Sequence, residues 1–585
     1  MFKKLFIFLL VFGSYVLAQN PVTVDQLSKH VHFLASDKLE GRLPGTEGGM
    51  AAANYVESQF KAYGLQPLTD SGFQDFKVVS KVELATKNTM KVGEQIYTVE
   101  EDFIPVGFTD NKSLEAGVVF AGYGFVIDTD SLKWDDFSGI DVDGKWVIIL
   151  RGDPENSPHG GAYYEHSALR KKALNATDNG ALGVLFVSGP EYDDEDELMR
   201  LAFDQSKSNA GVPVINIKRS VADFILAGKG TTIAELEKKL NSDKKANSFE
   251  IPVTVSASAE VNLVKVQTRN VLAVLPGSDE TLKDQYIVVG AHYDHLGYGG
   301  RGSGSRTPDT VAIHNGADDN ASGVSSMLEI AEYFSAMKTK RSILFMAFGA
   351  EEMGLLGSKY FVNNPLIDLK KIDIMYNLDM VGRLDSVDKG LTLGGTGTAE
   401  GLEDFIKKES EKFDLKVKTS PEGTGPSDHA TFYLENIPVL FFFTGTHDDY
   451  HTYRDDSDKI NYEGMKKVAD FAIDLINYHA NNEEMLTFTE AGSKEERRSM
   501  RFKVTLGIIP DYASDSGGLR LDGVNKDGPA DKAGMQKGDI VVKMGDKPVS
   551  NIYDYMARLG EFKKGEQVVV EVLRGDEKLE LNVTF

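Results

Sequence analysis

Six of the eleven histidines, His292, His295, His314, His429, His447 and His451, fall in one span of the chain. The same span carries adjacent acids: Asp318 and Asp319 in the glycine-rich "NGADDNASG", and Glu351 and Glu352 in "FMAFGAEEMGLLGS". His292 in "VVGAHYDHLG", the Glu351–Glu352 pair and Asp379 in "NLDMVGR" each close an apolar run that reads as a strand. His451 stands in "DDYHTYRDD". Open α/β sheets bind ligands beyond the carboxyl ends of their strands, so these residues would reach one edge together. Carboxylates gathered there repel one another, and each is driven toward protonation unless a cation neutralises it. Imidazole and carboxylate donors without a thiolate suit Zn²⁺, with Mn²⁺ or Co²⁺ as alternatives. A carboxylate shared by two ions ~3.5–4 Å apart makes a two-metal hydrolytic site. An adjacent Glu pair can then divide the work, one binding metal and the other taking a proton from water. Read singly, each acid is an ordinary surface or structural residue. Their recurrence at strand ends carries the argument.

The elements that would hold them read as α/β. Strands are expected at Tyr286–Val289, Ile343–Phe348, Ile374–Leu378 and Val439–Phe443, with helices at Ala321–Met337 and Tyr462–His479 among them. Helical spacing also marks Val24, Leu27, Val31 and Leu34, and a second stretch from Met50 to Tyr63. Residues 111–255 read as short strands with Gly turns. A chain of 585 residues exceeds the roughly 250–300 at which single cores stop growing, so several domains are required. With no cysteine, disulfides, thiolate metal sites and thiol catalysis are excluded. Net charge is −25, from 89 acids against 64 Lys and Arg, which argues against nucleic-acid binding. Met1–Ala18 has the basic start, apolar centre and small-residue end of a signal peptide, and its apolar run is shorter than the ~20 residues of a span. The expectation is an exported protein, periplasmic or extracellular, with no membrane span after cleavage. "GYGGRG" (Gly297–Gly302) matches a nucleotide-binding spacing, but no helix pattern follows it; it reads as a mobile loop over the site. The acidic run Asp193–Glu197 reads as a solvated loop.

The segments "GAHYDH", "GADDNASG", "GAEEMGLLGS", "NLDMVGR", "GPSDHATF" and "YHT", in that order, together with "LASDKLEGRLPGTEGG" near the start, resemble the M28 family of di-zinc exopeptidases. The resemblance implies a mixed-sheet domain with helices on both faces, split between residues 21–105 and 262–482. It implies that His292 and Asp379 bind one zinc, Glu352 and His451 the other, and that Asp319, rather than Asp318, bridges them. It further implies a cis peptide between Asp319 and Asn320, Glu351 as general base, Asp294 as the partner holding the His292 imidazole, and Tyr450 as a donor to the oxyanion. Ser427, Asp428 and His429 would lie on the substrate side or behind the ligands. His447 competes with His451 for its position, and the Tyr-His-Thr context favours His451. His295 and His314 read as loop histidines. The pattern departs after "YHT", where Tyr453 replaces the usual Pro.

Two accessory modules are expected. Residues 111–255 resemble a protease-associated (PA) domain through "AGYGF", "DVDGKWVIILRGD", "ATDNGALGVLFV" and "GVPVINI". Residues 500–585 resemble a PDZ domain through "GPADKAGMQKGDIVVKMGDKPVSN", with "VTLGII" (Val504–Ile509) as the loop that would cap a peptide C-terminus. Residues 483–499, with "TEAGSKEERRSM", read as a linker. The functional expectation is a zinc aminopeptidase acting on peptides. A carboxypeptidase of the same family, a single-zinc glutaminyl cyclase and a non-catalytic peptide binder built on the PA and PDZ modules are the alternatives.

Overall fold

Strand formation in the central part of the chain follows from apolar runs that are buried on both faces. In the computed structural model they build a nine-stranded sheet. Its main strands are β1 (Val261–Leu275), β2 (Tyr286–His292), β3 (Ser342–Phe348), β4 (Ile372–Leu378), β5 (Gly390–Gly394), β6 (Lys416–Thr419) and β7 (Val439–Phe443). They lie in the order β1-β3-β2-β4-β7-β5-β6. The four central strands β3, β2, β4 and β7 are mutually parallel, so their carboxyl ends share one edge. Antiparallel β1 and β5 flank them, and the sheet is therefore mixed. From β2 the chain goes to β3 on one side and then to β4 on the other. This puts β2 where strand order reverses, the usual place for a ligand crevice.

Alternate residues face opposite layers. Ile287, Val289 and Ala291 of β2 pack with helices α1 (Val24–Leu34), α2 (Glu47–Ala62), α3 (Gly323–Ser335) and α4 (Tyr462–Asn481). Val288 faces the other layer, with Phe361 and Phe432 from the short helices 356–363 and 429–434. The amphipathic spacing of α1 is thereby explained, since Leu27, Val31 and Leu34 are its buried face.

The structure describes residues 21–585 except 130–131, 157–161, 164–165, 203–208, 301, 492–503, 511–517, 525–527, 550–554, 556–557, 560–561, 564 and 576. The expected signal peptide and residues 492–499 of the expected linker lie outside the described residues. The chain divides into two compact units. One contains the residues up to Phe76 and Thr268–Lys494; the other contains Lys77–Gln267 and the residues from Glu495 on.

The insertion has its own eight-stranded sheet, with cores on both faces. It begins earlier than the sequence suggests. Strands Thr89–Val92, Gln95–Tyr97 and Phe103–Pro105, expected to belong to the peptidase portion, pair within this sheet; Thr89–Val92 lies against Phe249–Ala259, and Phe103–Pro105 against Val214–Ile217. Strand pairing across a long loop leaves no local sequence signal. Three helices, Leu169–Asp178, Arg219–Leu226 and Ile233–Asp243, accompany the expected strands. The acidic run is tied down, because Arg219 donates to the carbonyl of Asp194 and its backbone N–H to the Asp196 carboxylate. Residues 484–491 are also not linker. Leu486 N–H donates to Asp373, Thr489 N–H to the Thr398 carbonyl, and Ala491 N–H to the Tyr433 hydroxyl. At the C-terminus a separate six-stranded sheet surrounds its own core, with a short helix at Pro529–Lys532.

Within the insertion, Lys172 is fully buried. Its ammonium donates to the carbonyls of Leu150 (2.7 Å) and Gly152 (2.6 Å) and lies 5.0 Å from the Tyr123 and Phe125 ring centres. Burial lowers its pKa to about 7, against the pull of Asp153 and Asp136. The unfolded chain therefore holds this proton more tightly than the folded one. The resulting penalty on folding is full below pH ~7 and fades as pH rises toward 10.5. Both tryptophans, Trp134 and Trp146, are buried in this unit, so their fluorescence reports its unfolding. The urea midpoint should rise between pH 7 and 9 in the wild type, and Lys172→Met should flatten that rise. Equal slopes in the two proteins would contradict the assignment.

Candidate metal centre

Four chain segments meet at the carboxyl edge of β2, β3 and β4. His292 is the last residue of β2, and Asp379 directly follows β4. Glu351 and Glu352 lie in the turn after β3, and Asp319 in the turn that leads into α3. His292 Nε2 is 3.3 Å from Asp319 Oδ1 and 3.5 Å from Asp379 Oδ1. His451 Nε2 is 3.1 Å from both Asp319 Oδ2 and Glu352 Oε2. Asp319 thus offers one oxygen to each imidazole. Glu351 Oε2 is 3.9 Å from His292 Nε2, beside the first cluster.

Each residue is held from behind. The backbone N–H groups of Asp318 and Asp319 both donate to Asp455 Oδ2, at 2.9 and 3.0 Å. The peptide between Asp319 and Asn320 is cis; the Asn320 amide donates to the Leu378 carbonyl and its oxygen accepts from Gly323 N–H. Asp318 points elsewhere: its carboxylate accepts from Gly382 N–H and Ser322 and faces His447 Nε2 at 3.1 Å. His447 therefore belongs to the support of the turn, and His451 to the site. Tyr450 stacks on His451, with ring centres 3.9 Å apart, and joins an apolar cluster of Met380, Phe441 and Phe443. His429 stacks on Phe441 at 4.4 Å, and Ser427 accepts from Asn377. Asp428 is buried nearby, where its charge helps to raise Glu351.

The imidazole of His292 is turned by a backbone group, since Nδ1 lies 3.2 Å from the Asp294 carbonyl and 3.9 Å from its carboxylate. The Asp294 carboxylate instead accepts from Glu351 N–H (3.0 Å) and Glu352 N–H (3.4 Å), and so shapes the Glu-Glu turn. The glycine-rich segment after Leu296 is hydrogen-bonded to its surroundings on both sides of Arg301. Gly297 N–H donates to the Gly41 carbonyl, Gly304 O faces His451 Nδ1 at 3.2 Å, and Arg306 N–H donates to the His451 carbonyl. His314 stays in that loop, against Ser305. His295 lies in the irregular segment after β2, yet it is fully buried, and its Nδ1 is 2.7 Å from Glu352 Oε1.

Arg42 carries no role in the sequence reading beyond its motif, and its single arginine between turn residues has no spacing signal. It is fully buried and donates to four carbonyls, those of Tyr293, Leu34, Asn315 and Gly316. These lie next to His292 and just before the Asp319 turn. Burial lowers the guanidinium pKa to about 10, while Asp319, Asp294, Asp455 and Glu352 oppose the shift.

The electrostatics describe a demand for positive charge. Burial alone would lower His292 and His451, yet the surrounding carboxylates hold both well above the usual imidazole value. Burial would raise Asp319 and Glu352, but the imidazoles pull Asp319 well down and Glu352 to about 2. Glu351 is raised, by burial first and then by Glu352, Asp428 and Asp379. The donor set fits divalent ions. Nitrogen and oxygen atoms of His292, Asp319 and Asp379, and of a second group formed by His295, Asp319 and Glu352, converge within 4.8 Å. With no thiolate available, zinc-type N/O ligation suits both groups.

Residues 270–476 match Peptidase family M28, and residues 504–585 match the PDZ domain family. Among curated relatives, aminopeptidase YwaD of Bacillus subtilis is 28% identical over 374 residues, 62% of this chain and 66% of its own length. A protein named as a probable glutamate carboxypeptidase, AMP1 of Arabidopsis thaliana, is 22% identical over 70% of this chain and 56% of its own. Leupeptin-inactivating enzyme 1 of Streptomyces exfoliatus is 31% identical over 30% and 36%. The chain thus spans under two thirds of these relatives. Among solved structures, an aminopeptidase from Aneurinibacillus sp. strain AM-1 aligns over 82% of this chain and 98% of its own, at 23% identity and TM-score 0.47.

Arg42→Met would leave the buried carbonyls of Tyr293, Leu34 and Asn315 without their side-chain donor, while Gly316 O still accepts from Ala321 N–H, at about 1–3 kcal/mol for each group left unsatisfied. The unit that contains Arg42 should lose at least about 3 kcal/mol in chemical denaturation. A loss under about 1 kcal/mol would show that the guanidinium is dispensable.

Proposed function

We propose that this chain is an exported di-zinc exopeptidase that removes N-terminal residues from peptides. The observation that carries the reading is the pair of His–carboxylate clusters sharing Asp319, with Glu351 beside them. His292, Asp319 and Asp379 would hold one ion, and Asp319, Glu352 and His451 the other. Bound there, two zinc ions would supply Lewis-acid polarisation of the scissile carbonyl and acidify an attacking water. Glu351 takes the water proton on its carboxylate and delivers it to the leaving amine. Its buried, acid-rich surroundings raise its proton affinity, which suits a group that must accept and then release a proton. The Tyr450 hydroxyl donates to the oxyanion as charge develops on the carbonyl oxygen.

Chain-end preference is read from charge. The groups around the cluster are carboxylates, including Asp379 and Glu351, which suit an α-ammonium. Among the described residues, the guanidiniums of Arg42 and Arg383 are engaged, Arg42 with carbonyls and Arg383 with Asp449 and Asp455. A C-terminal carboxylate would be repelled. Met380, Phe441 and Phe443 form an apolar wall beside Tyr450 that favours an apolar first residue. The insertion is read as a PA-type module. In the PDZ domain, Gly507 has the positive φ (72°) of a tight loop, and the groove it opens would cap a peptide C-terminus. Export rests on the Met1–Ala18 pattern.

A dipeptide panel blocked at either end tests the reading. Free-amine substrates should be cleaved, N-blocked ones should not, and a chelator should abolish the activity. Glu351→Gln should retain metal and lose about 10²–10⁴ in kcat. Cleavage of N-blocked but not C-blocked peptides would instead identify a carboxypeptidase, and a fully active Glu351→Gln would refute the mechanism.

A further inference from the structure

His295 is not among the residues assigned above to either ion, although its ring converges with Asp319 and Glu352 within 4.8 Å, and it is fully enclosed beside Glu352. Its Nδ1 lies 2.7 Å from Glu352 Oε1, while His451 Nε2 lies 3.1 Å from the other oxygen, Oε2. These two distances differ in kind. Atoms bound to one tetrahedral zinc at 2.0–2.1 Å stand about 3.4 Å apart. The spacings of 3.1, 3.1, 3.3 and 3.5 Å among His451, His292, Asp319, Glu352 and Asp379 are close to that. A separation of 2.7 Å is a hydrogen bond to an ionised carboxylate, and two lone pairs would repel at that distance.

The other ring nitrogen agrees. His295 Nε2 is buried with no hydrogen-bond partner. A proton there would be an orphaned buried donor, so the proton belongs on Nδ1. The ring is also fixed in place. It packs edge to face with His451, with centres 5.8 Å apart. A Cβ at Gly316 would overlap the His295 ring, and Gly316 has a positive φ of 55°. The glycine before the Asp319 turn is thus needed both for backbone conformation and for room.

We propose that His295 is a positioning residue for the second ion: it donates from Nδ1 to Glu352 Oε1 and so presents Oε2 to the metal, together with His451 and Asp319. The inference rests on the di-metal reading above. Removing the partner that orients a metal ligand costs 10–100-fold in affinity. Glu352 would otherwise be free to rotate or to place both oxygens on the ion.

The test is zinc affinity of the full-length chain, measured by competition with a chelator, for the wild type and three variants. Asparagine places its amide nitrogen where Nδ1 stands; glutamine reaches instead to the position of Nε2. His295→Ala and His295→Gln should bind one ion as the wild type does and the other 10–100-fold more weakly. His295→Asn should stay within a few-fold of the wild type. If the alanine protein does not fold without metal, as judged by thermal unfolding of the apo form, the asparagine–glutamine comparison decides alone. Unchanged affinity in His295→Gln, or an asparagine variant as weak as the glutamine one, would overturn the proposal. A wild-type chain that binds fewer than two ions would overturn the di-metal reading itself, and this inference with it.

Discussion

Six buried or largely buried carboxylates, Asp294, Asp319, Glu351, Glu352, Asp379 and Asp428, crowd one sheet edge, and their mutual repulsion is the constraint on which the remaining structure depends. Burial raises the cost of each charge, and neighbours of the same sign raise it further. Asp294 and Asp428 are pushed up to about 7 by burial. Such a cluster holds together only where positive charge, or its partial equivalent in N–H groups, is supplied. The protein supplies part of it from fixed sources. Arg42 lies beneath the His292 and Asp319 segments, Asp294 gathers the N–H groups of the Glu-Glu turn, and Asp455 gathers those of the Asp318–Asp319 turn. The remainder of the demand falls on the centre of the cluster, where the two imidazoles and a pair of divalent ions would sit.

The fold serves that arrangement through its parallel strands. Because β2, β3 and β4 run in one direction, His292, the Glu351–Glu352 turn and Asp379 emerge side by side without any long connection. His451 comes from farther along the chain, and the glycine-rich loop compensates for its distance from a strand end by holding both its Nδ1 and its carbonyl. Side chains placed on rigid elements and supported from behind keep the precise geometry that metal ligation requires.

Much of this was legible in the sequence. An acid or imidazole that closes an apolar run can be located without coordinates, because strand direction then dictates where it points; His292, Glu351, Glu352 and Asp379 are of that kind. What was not legible depends on distance in space rather than along the chain. His295 follows His292 by three residues in an irregular turn, where no periodicity indicates its direction. Asp294 was expected on the imidazole, yet its backbone carbonyl serves that purpose and its carboxylate turns to the neighbouring strand's loop. Arg42 makes contact only with carbonyls, which every residue has, so no partner residue type marks it. The strands at 89–105 read as part of the peptidase portion and the tail at 484–491 as linker for the same reason: their partners are far away in the chain.

Shared ligation by Asp319 is the central claim, and counting zinc tests it most directly. Metal-free full-length protein should take up two zinc ions per chain in a calorimetric titration, and Asp319→Asn should lose tight binding at both positions, because one carboxylate serves both. A wild type that takes up no zinc, or an Asp319→Asn protein that still binds two ions at wild-type affinity, would contradict the account.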